Sequence, residues 1–225
     1  MYHELFDEQL QNKMRSFFLN RLSKRGRIQD YKKGEIVNIP DERYVAIVTE
    51  GKFKQVLYSV NGSEKSLFIL QPGEIFGEMD FFSSGKGNVI NRAMESSKLS
   101  IVGAEELDNL LKEDPEGYRF FLHSITRKFR IVMFQMADMV FNSALGKIAN
   151  MLLRLASQEG KEVGEKILID ISLTHQELAF LVGCSRTTVT KELNVMRDKG
   201  ILDIRSKKIL IKDMEGLQEL IDSTF

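Results

Sequence analysis

The sequence predicts an α+β fold in three successive parts: a β-rich N-terminal domain, one long helix, and a helical C-terminal domain with a small hairpin. Three observations carry this. From about Tyr31 to Val102, short β-branched and aromatic runs alternate with turn signals. From about Pro115 to Phe141, apolar residues recur every three or four positions. From Ser143 onward helical patterning returns, with dense start and turn signals between Thr174 and Val189. The corresponding boundaries are 1–114, 115–142 and 143–225.

Taken in order, residues 1–30 read as helical, with Leu5, Leu10, Met14, Phe17, Phe18 and Leu22 at helix-like spacing. Strand candidates follow at Tyr44–Val48, Phe53–Tyr58 and Ser66–Leu70. Asn61-Gly62 between the last two signals a hairpin, because both residues tolerate a positive φ. Short strands at regular spacing suggest a compact β-roll or barrel. In the long helix, Ile125, Phe129, Val132, Met136 and Met139 are spaced four, three, four and three apart. That is the seam of a two-helix interface over about two heptads, so these residues are the expected dimer contact. The alternative is a helix packed on its own domain. Asn142 or Ser143 can end this helix and cap the next, Ala144–Ser157, whose Ile148, Met151, Leu152 and Leu155 share a face. Gln158–Lys166 reads as a polar loop. Leu202–Arg205 and Ile209–Lys212 read as a hairpin about Ser206-Lys207-Lys208, and Asp213 caps a last helix running to Leu220.

Composition narrows the function classes. In 225 residues, 43% are hydrophobic and 28% charged, as in folded globular chains. No apolar run nears the roughly 20 residues that span a bilayer, so no membrane partner is expected. Met1–Leu10 carries Glu4, Asp7 and Glu8 without an apolar core, unlike a secretory signal. A single cysteine, Cys184, excludes an intrachain disulfide and suits a reducing cytoplasm. Basic and acidic residues balance at 32 each, so a polyanion partner would need a local basic surface. Leu173–Lys212 offers one, with eight lysines and arginines against four carboxylates.

That segment also contains the most specific motif. Thr174 and Glu177 form a capping box, so a helix starts there. Ala179 is small enough for a close helix crossing. Gly183 follows four residues later, where a left-handed turn is expected. Ser185 can cap a second helix, and Val189 can pack back on the first. Together these are a helix-turn-helix. The second helix presents Arg186, Thr187 and Lys191 as candidate base contacts, since Arg and Lys reach guanine O6 and N7. Thr174, Gln176, Ser185 and Thr188, with Lys207 and Lys208 of the hairpin turn, are candidate phosphate contacts. Glu192 falls where such motifs carry an apolar residue.

These residues resemble the Crp/Fnr family of transcription regulators over nearly the whole chain. Gln71-Pro72-Gly73-Glu74-Ile75-Phe76-Gly77-Glu78 looks like the family's phosphate-binding cassette, and Arg92-Ala93 like its end. Lys33-Gly34-Glu35 and Glu50-Gly51-Lys52 match its strand turns. Gly146-Lys147-Ile148-Ala149, Leu152–Ala156, Gly183-Cys184-Ser185-Arg186, Thr188-Val189 and Lys199-Gly200-Ile201-Leu202 match its winged helix-turn-helix. The resemblance implies a double-stranded β-helix sensor domain of the cyclic-nucleotide-binding kind, a long dimerisation helix, and a C-terminal winged helix-turn-helix. It implies a homodimer on double-stranded DNA with an inverted-repeat site, with RNA polymerase as a further candidate partner. The implied effector pocket is Gly77, Glu78, Gly87, Asn88, Val132 and Met133. Here the chain departs from the members that bind cyclic nucleotides. Gly87-Asn88 stands where they carry an Arg-Ser or Arg-Thr pair, and Val132-Met133 where they carry hydroxyl residues. The expected effector is therefore not cAMP.

Other chemistry finds little support. The three histidines, His3, His123 and His175, lie in separate segments without metal-ligand spacing, so neither a metal site nor an enzyme is expected. An iron–sulfur cluster needs N-terminal cysteines that this chain lacks. Haem stays open as a cofactor, because His3, His123, Cys184 or a methionine could ligate iron. The expected function is a DNA-binding regulator whose affinity for DNA is set by an effector. The alternatives are a member that binds DNA without any effector, and a small-molecule sensor acting through protein partners.

Overall fold

The computed structural model describes residues 7–40, 43–83 and 88–221. The chain divides into two compact units, one within Phe6–Arg130 and one within Ile131–Phe225.

The first unit opens with α1 (Glu8–Phe17), capped by Asp7, whose carboxylate accepts from the Leu10 amide at 2.9 Å. The chain tightens through a π turn at Phe18–Leu22 and a 3₁₀ turn at Ser23–Arg25. Helix then stops, earlier than the sequence suggests. Gly26 adopts extended backbone, where a Cβ would lie 2.7 Å from the Ile101 carbonyl oxygen. Arg27–Tyr31 becomes β1, paired antiparallel with β7 (Ser97–Gly103). Between them lie β2 (Tyr44–Glu50), β3 (Phe53–Tyr58), β4 (Glu64–Leu70), β5 (Ile75–Phe76), a short helix α2 (Glu78–Ser83) and β6 (Ile90–Ala93). They form two antiparallel sheets, ordered β1-β7-β2-β5 and β4-β3-β6. The Asn61-Gly62 hairpin forms as a five-residue loop in which Gly62, at φ +77°, takes the left-handed conformation.

The continuous apolar run of β2 has a physical reason. Ala46 and Val48 pack inside the roll with Tyr31, Phe53, Leu70, Phe76, Leu99 and Ile101. Val45 and Ile47 face the other way, into a cluster with Phe17, Phe18, Leu107, Phe120 and Phe121. A strand covered on both faces loses the usual alternation. The helical side of that cluster comes from α1, its π turn, α3 (Ala104–Glu113) and the start of α4 (Gly117–Phe141).

In the second unit Ser143 caps α5 (Ala144–Glu159), its hydroxyl accepting from the Gly146 amide at 3.2 Å. Asp138, near the end of α4, accepts from Asn142 Nδ2 at 2.9 Å and Asn150 Nδ2 at 2.6 Å. Burial raises its carboxyl above the usual range despite those two bonds. The segment read as a polar loop is a hairpin, β8 (Gly160–Val163) with β9 (Lys166–Ile169). Its stability is tertiary: Ile167 and Ile169 pair with Ile211 and Ile209 of β11 (Lys208–Ile211). With β10 (Leu202–Arg205) the sheet runs β10-β11-β9-β8. The remaining helices are α6 (His175–Val182), α7 (Arg186–Asp198) and α8 (Met214–Glu219), the last capped by Asp213. Among the described residues no helix is long and apolar enough to cross a membrane.

Candidate functional site

The α6–α7 pair is built from its caps outward. Glu177's amide donates to Thr174 Oγ1 at 3.1 Å, and Thr174's amide donates back to Glu177 Oε2 at 2.8 Å. Gly183 closes α6 at φ +81°, a conformation that penalises any side chain. Its amide and that of Cys184 both donate to the Ala179 carbonyl. Ser185 starts α7 by accepting from the Thr188 amide at 3.0 Å. Ala179 and Val189 are fully buried at the crossing of the two helices. The geometry is a helix-turn-helix.

Arg186, Thr187 and Lys191, the candidate base contacts, are exposed on α7. Glu192, the atypical position, is half-buried with its carboxylate 3.7 Å from Lys191 Nζ. The candidate phosphate contacts divide. Gln176 and Lys207 are exposed. Thr174's hydroxyl is used in its capping box, and Ser185 and Thr188 hydroxyls bond each other at 2.8 Å. Lys208 is ion-paired to Asp170, which also meets Lys161 at 2.5 Å. Lys161 first and Lys208 second hold the Asp170 carboxyl down to about 2. The turn between β10 and β11 places Ser206 at φ +50° and Lys207 at φ +64°, left-handed for two non-glycine residues. One contact was not anticipated: His175 Nδ1 lies 2.8 Å from Thr190 Oγ1, tying the start of α6 to α7.

In the first unit the cassette carries two left-handed glycines, Gly73 and Gly77. A Cβ at Gly77 would stand 2.7 Å from the Tyr44 carbonyl oxygen, so only glycine fits. Glu78 is fully buried. Its carboxylate accepts from Lys128 Nζ at 2.6 Å, and the same ammonium donates to the Ile75 carbonyl at 2.7 Å. Of the other pocket candidates, Asn88 is exposed and Gly87 lies outside the described residues. Val132 is half-buried and Met133 exposed; both belong to the second unit. Arg92 sits 3.7 Å from Glu64, with its guanidinium 5.8 Å from the Tyr58 ring centre. Glu64 is shared with Lys54 at 2.5 Å and with the Tyr58 hydroxyl at 2.7 Å.

A second buried carboxylate, Glu74, gathers three elements. It accepts from Gln11 Nε2 at 3.0 Å, Arg15 at 3.1 Å, Arg127 at 3.0 Å and the Gln71 amide at 3.0 Å. Burial pushes its carboxyl up, but Arg127, Arg15 and the amide outweigh it and leave it below the usual range. His123 joins this network through Gln11 Oε1 at 3.0 Å. Burial, then Arg127, holds its imidazole below the ordinary histidine range. His3 lies outside the described residues. Among the described residues no group of three or more His, Cys, Asp or Glu is placed to hold a metal ion. Lys128 and Arg127 escape sequence reasoning, and Glu74 enters it only as a member of the cassette. The only signal of the two cations is their adjacency on α4, between the seam positions Ile125 and Phe129.

Along α4 the expected seam is largely uncovered. Phe129, Met136 and Met139 are exposed, while Ile125 and Val132 are half-buried. Leu122, Met133 and Val140, not in the predicted set, are exposed as well. Leu122, Phe129, Met133, Met136 and Val140 form one stripe with spacings of seven, four, three and four.

Comparison with known proteins matches residues 28–114 to the cyclic nucleotide-binding domain and residues 146–220 to the Crp-like helix-turn-helix domain. The chain belongs to the Crp/Fnr family. Its Crp/Fnr relatives include the CRP-like cAMP-activated global transcriptional regulator of Mycobacterium tuberculosis, 29% identical over 84% of this chain and 85% of that protein. The cyclic AMP receptor protein of Thermus thermophilus is 26% identical over 98% of this chain and 95% of that one. Among solved structures, a CooA mutant from Carboxydothermus hydrogenoformans superposes with a TM-score of 0.78 at 26% identity, covering 90% of this chain and 93% of that one. As a Crp/Fnr member the protein is a DNA-binding transcriptional regulator and not an enzyme.

Proposed function

We propose that the protein is a homodimer that binds an inverted-repeat DNA site through α7, under the control of an effector other than cAMP. The observation that carries the DNA part is the exposed row Arg186, Thr187 and Lys191 on a helix locked by its caps. Arginine can bond guanine O6 and N7 together in the major groove. Two copies joined along the apolar stripe of α4 would present two such helices, and a two-fold protein requires two half-sites of opposite sense. Burial of exposed Phe129, Met133 and Met136 supports that pairing, each worth about 1.5–3 kcal/mol when fully buried.

The effector reading rests on where the cations are. A cyclic phosphate needs a cation or a dense set of donors once it leaves water. Arg92 is engaged by Glu64 and Lys128 by Glu78. Asn88, in the same unit, brings no charge. The names of the relatives point to cAMP; the residues at these positions favour a ligand of different chemistry. The test is selection of bound sequences from a random DNA pool, with and without cell extract, followed by calorimetry with cAMP. Enrichment of a two-fold symmetric site is expected, with extract raising affinity and cAMP giving no saturable heat. An asymmetric or unenriched pool overturns the DNA reading. Micromolar cAMP binding that raises DNA affinity overturns the effector reading.

A further inference from the structure

The hydroxyl of Thr187 is turned back onto the cap of α7, and that decides which group Thr187 shows to DNA. Its Oγ1 lies 2.7 Å from Ser185 Oγ. Ser185 Oγ is also 2.8 Å from Thr188 Oγ1 and accepts the Thr188 amide at 3.0 Å. A hydroxyl has one proton and two lone pairs. Ser185 thus accepts the amide, accepts from one threonine and donates to the other, with nothing left over. Thr187 is exposed, the second residue of its helix. Its Cβ carries a hydroxyl, a methyl and a hydrogen. With the hydroxyl turned back to the cap, the methyl is the group left to face outward.

We propose that Thr187 is a methyl reader: it recognises the 5-methyl group of a pyrimidine, so each half-site holds a thymine beside the guanine met by Arg186. This rests on the DNA reading above and gives it a chemical specificity. The thymine methyl is the one apolar feature that bases present in the major groove, and a threonine methyl is a suitable partner for it. The other exposed candidate base contacts of this helix, Arg186 and Lys191, are both long cations suited to purine acceptors. The outward row therefore reads cation, methyl, cation. By the same chemistry, 5-methylcytosine substitutes for thymine at this contact, whereas unmodified cytosine and uracil do not.

The experiment uses the 225-residue chain, with extract where the selection requires it, and the site recovered from the random pool. Each thymine is replaced in turn by deoxyuridine, which removes one methyl and leaves the pairing edge intact. Wild type should lose about three- to fivefold in affinity per half-site at a single thymine position, the value expected for one buried methyl-sized group. Thr187→Ser keeps the cap hydroxyl and lacks the methyl, so it should bind thymine and uracil sites equally. Thr187→Val keeps a methyl and lacks the hydroxyl, so it should retain the discrimination. Specific binding with no thymine–uracil difference in wild type overturns the inference and leaves the DNA reading intact. So does discrimination that survives Thr187→Ser, or that is lost in Thr187→Val alone. Absence of any specific site overturns the DNA reading itself.

Discussion

The two units use their charged side chains in opposite ways. In the first, Glu64, Glu74 and Glu78 are held inside the protein against Lys54 and Arg92, Arg15 and Arg127, and Lys128 respectively. In the second, Arg186, Lys191, Arg197 and Lys207 are exposed, while carboxylates are tied into caps and surface pairs: Glu177 with Thr174, Asp170 with Lys161 and Lys208. A surface that meets a polyanion keeps its cations in water until the phosphates arrive. Net charge hides this arrangement, because the chain sums to zero.

The largest effect is expected on α4, which displays apolar rather than charged side chains. Phe129→Asp together with Met136→Asp, both exposed in the protomer, should dissociate the dimer at micromolar concentration and abolish tight DNA binding. Sedimentation velocity checks this, and a wild type that is itself monomeric refutes the interface.

Next is Glu74→Ala, which removes the buried carboxylate shared by the half-buried Arg15 and Arg127. A loss of about 3–5 kcal/mol is expected for breaking a buried pair from one side. Denaturant unfolding measures it, and a cost below about 1 kcal/mol would mean that the first unit's buried pairs stabilise no more than exposed ones do. Acid should act in the same direction. Because Glu74 is held below its ordinary range, the unfolded chain takes up its proton first as pH falls. Its stabilisation is complete above about pH 4.5 and disappears as pH drops through the lower folded value. Glu74→Gln should remove that part of the pH dependence.

Arg186→Ala should cost about 1–3 kcal/mol of DNA affinity per half-site and relax sequence preference at one position, without changing the melting temperature. Unchanged preference in a repeated selection sinks the assignment. The smallest effect is at the strained turn. Lys207→Gly relieves a left-handed lysine and should raise stability by up to about 1 kcal/mol. The same change should lower the salt dependence of DNA binding by about one unit of slope per half-site. If stability and salt slope both stay put, the turn is neither strained nor at the phosphates.

What was legible in the sequence was whatever is decided locally. Thr174, Glu177, Gly183 and Ser185 act within a few residues of themselves, and each sits where its chemistry placed it. Leu122 and Val140 lie beyond the span Ile125–Met139 that the four–three spacing marks out, and Met133 lies inside it, one residue past the position Val132 that the spacing selects. The strand at Arg27–Tyr31 falls inside the stretch that the sequence marks as helical: two of its five residues are charged and it pairs along β7 alone, so no alternation marks it. The β8–β9 hairpin looked like a loop because its partner, β11, lies some forty residues further on. The Glu78–Lys128 pair bridges fifty residues, and no periodicity reports such a contact.

Strand β2 is a party wall: Ala46 and Val48 belong to the inner room, Val45 and Ile47 to the outer one that houses Phe120 and Phe121 of α4. Packed interiors are nearly incompressible. Neither room can gain volume unless the wall bows and the other gives way. Whatever fills the roll is thereby felt at the root of the long helix, through the thickness of a single strand.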